Sequence, residues 1–381
     1  MDRWSSVGAS AVRPTRATID TDALGHNLRE VRRLVGSTAV LGVVKADAYG
    51  HGARLVGRAL EGHGIDWMGV ALVEEGLELR QVGIRTPLLV LDGSYGDAYP
   101  ELLTHHLTPV VFRLDHLEGL AGAAAALGMP AEAHLKVDTG MGRLGVLPQD
   151  AMAFALAAKS KGIALTGVCT HFANADLGDV ELTRLQMERF AEVLARVRDA
   201  GHAPKWIHLA NSAASIELAA AHGTLVRPGL MLYGHLPAAR LSAGLDLRPA
   251  LRWTTEIVQL KQVPAGYAVS YGSRFVTARP SRLATLAVGY ADGFRRGLSG
   301  QAEVLIRGSR VPVVGVITMD LCVADVTDLP DVGLDDEVVL LGRQGGQTIE
   351  PEELARRCGT ISYEILCGIS ARVPRVAKIG A

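Results

Sequence analysis

The first two thirds of the chain alternate between two patterns of hydrophobic and polar positions. Stretches with apolar residues three and four apart, as in Leu24, Leu28, Val31 and Val35, are followed by short, almost continuous apolar runs. The first pattern is typical of amphipathic helices, and the second of strands covered on both faces. Eight runs predict parallel strands, at residues 40–44, 67–72, 88–91, 108–111, 133–137, 165–170, 206–209 and 224–227. Eight β-α units over about 230 residues favour a closed (βα)8 barrel of the TIM type, with an open doubly wound sheet as the alternative.

Beyond about residue 245 the pattern changes to short alternating runs separated by Gly, Pro and Asp, which predicts a β-rich domain. The predicted strands are residues 253–258, 283–288, 303–306, 311–316, 321–326 and 337–341. We expect an N-terminal extension over residues 1–14, a barrel over residues 15–245 and a β-rich domain over residues 246–381. Within that domain, Glu352 and Glu353 precede Arg356 and Arg357 at i, i+4 spacing, which predicts a solvated helix face.

Composition argues against several classes of partner and site. The 381 residues include 39 Lys and Arg against 40 Asp and Glu, so no positive surplus favours nucleic acid or an anionic membrane. The four cysteines form no C-x-x-C pair, which argues against a disulfide framework or a zinc site. The N-terminus has no apolar stretch of signal-peptide length, and residues 119–131, the longest uncharged tract, are too few to cross a membrane. We therefore expect a cytoplasmic protein that acts on a small molecule.

Polar residues follow several predicted barrel strands at their C-terminal ends, where barrels carry their catalytic groups. Lys45 ends the first strand, where an apolar environment lowers a lysine pKa and favours imine formation. A lone lysine at the end of a strand more often lays its aliphatic chain along the protein surface, so that its ammonium group reaches solvent. The later strand ends carry Lys136 and Asp138, His171, His208 with Asn211 and Ser212, and Arg227. Because these ends lie on one side of a barrel, the set predicts one polar pocket.

The motifs in this chain resemble those of the alanine racemase family. The matching segments are residues 44–52 (VKADAYGHG), 138–143 (DTGMGR), 211–213 (NSA), 227–229 (RPG), 269–272 (VSYG), 289–293 (GYADG) and 372–375 (RVPR). The likeness runs from about Arg13 to Arg375. It implies an isomerase that depends on pyridoxal 5′-phosphate (PLP), with a (βα)8 barrel followed by a β domain. It also implies a homodimer whose active sites are shared between subunits, and a role in making D-alanine for peptidoglycan.

Racemisation requires two acid–base groups, because a proton leaves one face of the substrate and another returns to the opposite face. The resemblance implies that Lys45 holds the cofactor as an imine and is the base for D-alanine. It makes Tyr271, from the other subunit's β domain, the base for L-alanine. A phenol with a pKa of about 10 needs nearby positive charge to act as a base at neutral pH, and Arg143 resembles the family arginine that supplies it. The alternative for Tyr271 is a core tyrosine with a satisfied hydroxyl.

The resemblance also implies roles for the remaining site residues. Arg227 faces the pyridine nitrogen, where its permanent charge keeps that nitrogen unprotonated, and His171 orients Arg227. Lys136 matches a position that is carbamylated in some members, and the alternative is an ordinary lysine paired with a carboxylate. The cofactor is bound by Tyr49, Asn211, Ser212, the backbone at Gly229 and Tyr363. The substrate is contacted by Arg143, Tyr290, the backbone N–H of Met319 and Asp320.

Two further sequence patterns do not indicate a functional site. Residues 140–145 (GMGRLG) match the dinucleotide-binding pattern, but they lie in the fifth β-α unit, with no acidic strand end about 20 residues further on. The twelve histidines form no H-E-x-x-H motif, so no catalytic metal is expected.

The chain departs from the family pattern at Phe294-Arg295, Val316 and Ala371. None of these is a proposed base, so the departures bear on substrate entry and specificity.

Three functions are consistent with these observations. The first is an alanine racemase, or a racemase of broader specificity that also acts on serine. The second is a non-catalytic PLP carrier, which would lack the second domain and Tyr271. The third is a decarboxylase with the same domain plan, which would be expected to show a Gly-rich phosphate loop between the late barrel strands. The β-rich domain and Tyr271 favour the racemase.

Overall fold

The computed structural model describes residues 13–241 and 244–378. Residues 1–12 of the expected N-terminal extension lie outside this part. The chain divides into two compact units. The barrel unit comprises Asp22–Ala48 and Ala53–Arg248, and the β unit comprises the described residues up to Thr21, Tyr49–Gly52 and the chain from Pro249 onwards. The first strand, β1 (Arg16–Ile19), is part of the β unit.

The barrel unit contains the eight parallel strands that the apolar runs predict. They are β2 (Ala39–Val43), β3 (Trp67–Val70), β4 (Leu88–Val90), β5 (Leu107–Val111), β6 (Ala131–Lys136), β7 (Ile163–Cys169), β8 (Trp206–His208) and β9 (Leu225–Val226). Neighbours pair in sequence from β2 to β8, and β9 pairs with β2. Between β8 and β9, hydrogen bonds of 2.9 Å run from Thr224 N to Ile207 O and from Arg227 N to Ala210 O. The barrel prediction is therefore confirmed, and the doubly wound alternative is wrong.

Helices cover this barrel as the three-four spacing predicts. They are α1 (Thr21–Val35), α2 (Lys45–Tyr49), α3 (Ala53–Gly62), α4 (Val73–Gln81), α5 (Tyr99–Thr104), α6 (Leu114–Leu127), α7 (Ala151–Ser160), α8 (Val180–Asp199) and α9 (Ser212–Glu217). Single 3-10 turns occupy Pro148–Asp150, Ala219–Ala221, Leu230–Tyr233 and Ala239–Leu241. Helix α1 buries Leu24, Leu28 and Val31 and exposes Arg29 and Arg33, because its apolar residues lie on one face. Across residues 13–241 and 244–378, every helix is too short or too polar to cross a membrane.

The β unit is built on a sheet of nine strands in the order β18-β17-β14-β15-β16-β13-β10-β1-β19. The strands not yet given are β10 (Leu251–Val263), β11 (Ala268–Val269), β12 (Phe275–Val276), β13 (Ser281–Leu286), β14 (Glu303–Ile306), β15 (Ser309–Val314), β16 (Cys322–Asp325), β17 (Glu337–Gln344), β18 (Gln347–Ile349) and β19 (Arg375–Ala377). The helices are α10 (Pro351–Cys358) and α11 (Ser362–Cys367), and 3-10 turns occupy Tyr271–Ser273, Tyr290–Asp292 and Arg296–Leu298. Strand β10 pairs with β1 over residues 251–254, with β17 over residues 253–256 and with β13 over residues 257–263.

The acidic and basic pairs of α10 do not form a simple solvated face. The carboxylate of Glu353 accepts hydrogen bonds from Arg310 at 2.8 and 2.9 Å and from Arg357 at 2.8 Å. Both arginines also bond Glu303. The prediction of a wholly solvated face is therefore wrong, because β14 and β15 supply partners that the helical spacing does not reveal.

Candidate active site

The chain turns sharply after Lys45, at the end of β2. The next four residues have φ angles of 53–54°, in the left-handed region, which costs about 1–2 kcal/mol for each non-glycine residue. Carboxylates hold this backbone in place: Ala46 N donates to Glu75 at 2.7 Å, and Asp47 accepts from Ala53 N at 2.6 Å. Helix α2 is therefore a left-handed turn, and strain of this kind is typical of functional sites.

Arg227 is a buried cation that the barrel unit surrounds with dipoles. Its side chain donates to the carbonyl oxygens of His208 at 2.6 Å, Thr170 at 2.7 Å and Leu209 at 3.2 Å. The Nδ1 atoms of His208 and His171 lie 3.2 and 3.3 Å from its two terminal nitrogens. In the part of the chain that the structure describes, no carboxylate pairs with Arg227. Burial lowers the pKa of the guanidinium, and the surrounding dipoles stabilise its charge.

Two neutral histidines extend from this arginine into the barrel. Because a guanidinium only donates, Nδ1 of His208 accepts, and the imidazole proton of His208 is on Nε2. That Nε2 lies 2.9 Å from Nδ1 of His134, so His134 also carries its proton on Nε2. Burial lowers the pKa of His134 to about 3 and that of His208 well below its ordinary value. The hydrogen bonds therefore determine the tautomer of each ring, and Arg227 is the only charge in this chain of groups.

Four positively charged side chains lie near His171. Burial and the charges of Arg227, Lys136, Arg143 and Lys45 lower the pKa of His171 well below its ordinary value. Burial, together with Arg227 and Arg143, also lowers the pKa of Lys136 to about 8. The structure thus brings together Lys45, Lys136, His171 and Arg227, which the sequence singled out at separate strand ends, and adds Arg143 from the loop after β6. The concentrated positive charge of the lysines and arginines would attract a small polyanion.

The loop that carries Arg143 explains the glycines that resemble a dinucleotide motif. Asp138 Oδ1 accepts the backbone N–H groups of Gly140, Met141 and Gly142 at 2.9–3.0 Å. Gly145 has a φ of 134°, and a Cβ there would lie 2.3 Å from the backbone nitrogen of Asp138. The glycines therefore shape a tight loop that closes on Asp138.

Asn211, Ser212 and Gly229 meet at the start of α9. The side chain of Asn211 accepts from Ala214 N at 3.0 Å and so caps this helix. The Ser212 hydroxyl accepts from Gly229 N at 2.9 Å. A hydroxyl that accepts one hydrogen bond can still donate another, so Ser212 retains a donor for a ligand.

The β unit carries the other predicted site residues. The rings of Tyr49 and Tyr363 lie 5.9 Å apart between centroids, and burial raises the pKa of Tyr49, so this phenol remains a donor at neutral pH. Tyr271 is 74% exposed, Met319 53% and Tyr290 41%. Asp320 accepts from Arg372 at 2.7 Å. Tyr49 and Tyr363 thus lie together, whereas the side chains of Tyr271, Tyr290 and Met319 face solvent.

Family models match almost the whole chain. The model described as alanine racemase, N-terminal domain, matches residues 19–237, and the one described as alanine racemase, C-terminal domain, matches residues 250–377. The chain belongs to the alanine racemase family.

Individual relatives of the alanine racemase family match at full length. The chain is 44% identical to alanine racemase 2 of Caldanaerobacter subterraneus subsp. tengcongensis, over 96% of this chain and 95% of that protein. Its fold is similar to a crystal structure of alanine racemase from Streptomyces lavendulae, with a TM-score of 0.91, 38% identity and coverage of 97% and 98% of the two chains. It is also similar to the Bacillus anthracis alanine racemase with bound L-Ala-P, with a TM-score of 0.90, 34% identity and coverage of 96% and 95%.

Two buried residues of this alanine racemase family member were missed by sequence reasoning. His134 lies within β6, and its only signal is a polar residue between apolar neighbours on a barrel strand. Asp292 lies inside the GYADG segment and is fully buried. Its partners, Arg13 and Arg372, are 279 and 80 positions away in sequence, so no local pattern could connect them.

Proposed function

We propose that this protein interconverts L-alanine and D-alanine with PLP as its cofactor, by a two-base mechanism. The observation that carries the proposal is the positive charge of Lys45, Arg143 and Arg227 near His171 in a barrel of this family. Such a group suits a phosphorylated cofactor that bonds covalently to a lysine. The name that the relatives bear, alanine racemase, supports the choice of substrate.

The donors available in each unit fit PLP. In the barrel unit, Lys45 offers an amine for the covalent link, and Ser212, whose oxygen accepts from Gly229 N, offers its hydroxyl proton to the phosphate. In the β unit, Tyr49 and Tyr363 offer phenolic donors. When bound, PLP withdraws electrons from the substrate and so makes its Cα proton more acidic. Asn211 would act on this cofactor site through the helix it caps.

Arg227 would face the ring nitrogen of the cofactor with a fixed positive charge. Its neighbours are three carbonyls and two imidazoles whose pKa values burial lowers well below their ordinary value, so none is basic enough to take its proton. Because its charge would persist, Arg227 would keep the opposing nitrogen unprotonated and so limit side reactions such as transamination. His171 is a positioning residue in this scheme, since it contacts Arg227 through Nδ1.

Lys45 and Tyr271 would exchange protons with opposite faces of the substrate. Lys45 takes the Cα proton of D-alanine and Tyr271 that of L-alanine, with Arg143 favouring the phenolate. The 74% exposure of Tyr271 supports its delivery to a second copy of the chain. We therefore propose a homodimer with shared active sites. Tyr290, the Met319 amide and Asp320 would contact the substrate, with the amide bonding its carboxylate.

Lys136 is suited to carbamylation. With a pKa of about 8, part of this lysine is neutral near pH 7, and a neutral amine can add carbon dioxide. A nitrogen–carbon bond forms, one N–H proton is released, and the product is an anionic carbamate. Nuclear magnetic resonance with ¹³C-bicarbonate would detect a carbamate carbon that Lys136→Met removes. The alternative, a lysine that keeps its charge near Asp92, predicts the same spectrum for both proteins.

Incubation of the purified holoenzyme with L-alanine in D₂O tests the function. We expect D-alanine on chiral chromatography and deuterium at Cα, and neither product from Lys45→Ala. Borohydride reduction should leave the cofactor attached to the peptide that contains Lys45. Bound PLP without Cα exchange would overturn the racemase and favour a cofactor carrier. Serine in a parallel reaction tests a broader specificity.

The proposed product indicates a biological role. D-alanine is a building block of peptidoglycan, so we propose that the protein supplies cell-wall synthesis from the cytoplasm.

A further inference from the structure

A buried aspartate in the β unit lies between two arginines. Asp292 is 0% exposed and ends the 3-10 turn Tyr290–Asp292. Its Oδ2 accepts from Gly289 N at 2.9 Å and from Arg13 Nη2 at 2.7 Å, and its Oδ1 accepts from Arg13 Nη1. Arg372 Nε lies 3.6 Å from Oδ1. Two cations and a backbone amide thus stabilise the charge of this carboxylate.

Both arginines reach beyond Asp292 to neighbouring segments. Arg372 donates to Asp320 Oδ1 at 2.7 Å, and Arg13 donates to Ala287 O at 2.8 Å. We refer to Arg13, Asp292, Asp320 and Arg372 as the arginine–aspartate network. It links the chain before β1, the loop after β13, the turn before β16 and the segment before β19.

The loop and the turn also bond each other through their backbones. Tyr290 N donates to Thr318 O, and Ala291 N donates to Met319 O, both at 3.0 Å. A Cβ at Gly289 would lie 2.3 Å from Met319 O, so only glycine permits this approach. The side chains of Tyr290 and Met319 are nevertheless 41% and 53% exposed. Exposed groups on a fixed backbone are suited to binding a ligand without reorganisation.

We propose that the arginine–aspartate network is a positioning device that holds the turn of Met319 and Asp320 against the loop of Tyr290, and so sets how the carboxylate of alanine is bound. This inference rests on the proposed function, which gives that carboxylate to the Met319 amide. Arg372 ties the turn to Asp292 from the Asp320 side. Without Arg372, Arg13 still bonds Asp292 and the backbone bonds between loop and turn remain, so the fold should persist while the side chain of Asp320 loses its ion pair.

Arg372→Met tests this role in the holoenzyme. We expect the KM for alanine to rise about tenfold or more, because a charged hydrogen bond that fixes the binding turn is lost, and kcat to change much less. Arg372→Lys should recover part of the loss. Arg279→Met is the matched control, since Arg279 bonds both oxygens of Asp328 at 2.6 and 2.7 Å on the surface of the same unit. It should keep the wild-type KM.

Two substrate fragments separate carboxylate binding from other effects. Propionate has the carboxylate of alanine without its amine, and its inhibition constant should rise with KM in Arg372→Met. Ethylamine has the amine without the carboxylate, so its effect on the cofactor absorbance should follow the same concentration dependence as in wild type. Arg372→Gln, which keeps a hydrogen-bond donor but removes the charge, should shift KM and the propionate constant in the same direction and serves if Arg372→Met does not fold.

The outcomes distinguish this inference from the proposed function. If wild type racemises alanine while Arg372→Met or, failing that, Arg372→Gln keeps the wild-type KM and propionate constant, the network has no positioning role. An equal shift for propionate and ethylamine also contradicts it. If wild type shows no exchange at Cα, the proposed function fails and this inference fails with it.

Discussion

The two units each bury a charged group, but they stabilise it in opposite ways. In the barrel unit, Arg227 contacts only carbonyl oxygens and neutral imidazoles among the described residues. In the β unit, Asp292 contacts two arginines and a backbone amide. Dipoles hold a charge in place without cancelling it, whereas ion pairs cancel it. The first arrangement leaves a field for a ligand, and the second joins segments of the chain.

The comparison also separates the two proposed bases, since Lys45 belongs to the barrel unit and Tyr271 to the β unit. Lys45→Ala and Tyr271→Phe should each lower turnover by about 10²–10⁴, the range for an acid–base group. Co-expression of the two variants should restore about a quarter of wild-type activity, because half of the dimers are hybrid and each hybrid has one intact site. The measurement is the rate of the purified mixture. No recovery in proven hybrids would mean that both bases come from one chain.

The second prediction concerns stability. Asp292→Asn should lower the free energy of unfolding by about 3–5 kcal/mol, because two arginines lose their buried anion. Arg227→Met should lower it by a smaller amount, about 1–3 kcal/mol, because carbonyls lose a donor while a buried uncompensated charge is also removed. Urea unfolding of the cofactor-free proteins measures both. If Arg227→Met lost more unfolding free energy than Asp292→Asn, the proposed contrast between a charge held by dipoles and a charge held by ion pairs would be wrong.

The buried histidines beside Arg227 predict a pH dependence. Burial lowers the pKa of His134 to about 3, so below its ordinary value of 6.5 the unfolded chain binds a proton that the folded chain does not. Stability therefore falls as pH decreases from about 6.5, by roughly 1.4 kcal/mol per pH unit for this group until pH approaches 3. His134→Gln should reduce that slope in urea unfolding between pH 6.5 and 5, the upper part of this window. Replacement of the exposed His105 by Gln is the control, and an equal slope in both variants would contradict the assignment.

The smallest effect is expected where charges are compensated near the surface. Glu353→Gln weakens the ion network with Arg310 and Arg357 and should lower the free energy of unfolding by about 1 kcal/mol or less, because partly exposed ion pairs are worth little. The loss should shrink further at high salt. A loss as large as that of Asp292→Asn would show that burial does not account for the difference between these two carboxylates.

Much of the fold was predictable because its pattern is local. The eight apolar runs correspond to β2–β9, and the predicted run at residues 303–306 coincides with β14. Boundaries were less predictable: β10 extends over Leu251–Val263, although the alternating pattern indicated only residues 253–258. A strand that changes neighbours along its length has no constant buried face, so its periodicity weakens.

The site was predictable where motifs name residues, and not where partners are distant. Lys45, Lys136 and Arg227 were singled out as strand-end residues, and the structure brings them near His171. The left-handed turn after Lys45 depends on the carboxylate of Glu75, on a different helix. Without that contact, a run of alanine and aspartate favours ordinary right-handed backbone.

By itself, the sequence determined the number and order of the barrel strands, the β-rich second unit and the membership in the alanine racemase family. These three features follow from the spacing of apolar residues or from contiguous motifs. Spacing and motifs are local properties of the chain. Only the tertiary structure decided the tautomers of His134 and His208, the uncompensated charge of Arg227 and the pairing of Asp292 with Arg13 and Arg372. These properties depend on which dipoles and charges meet in a low-dielectric interior, and only folding brings those groups together.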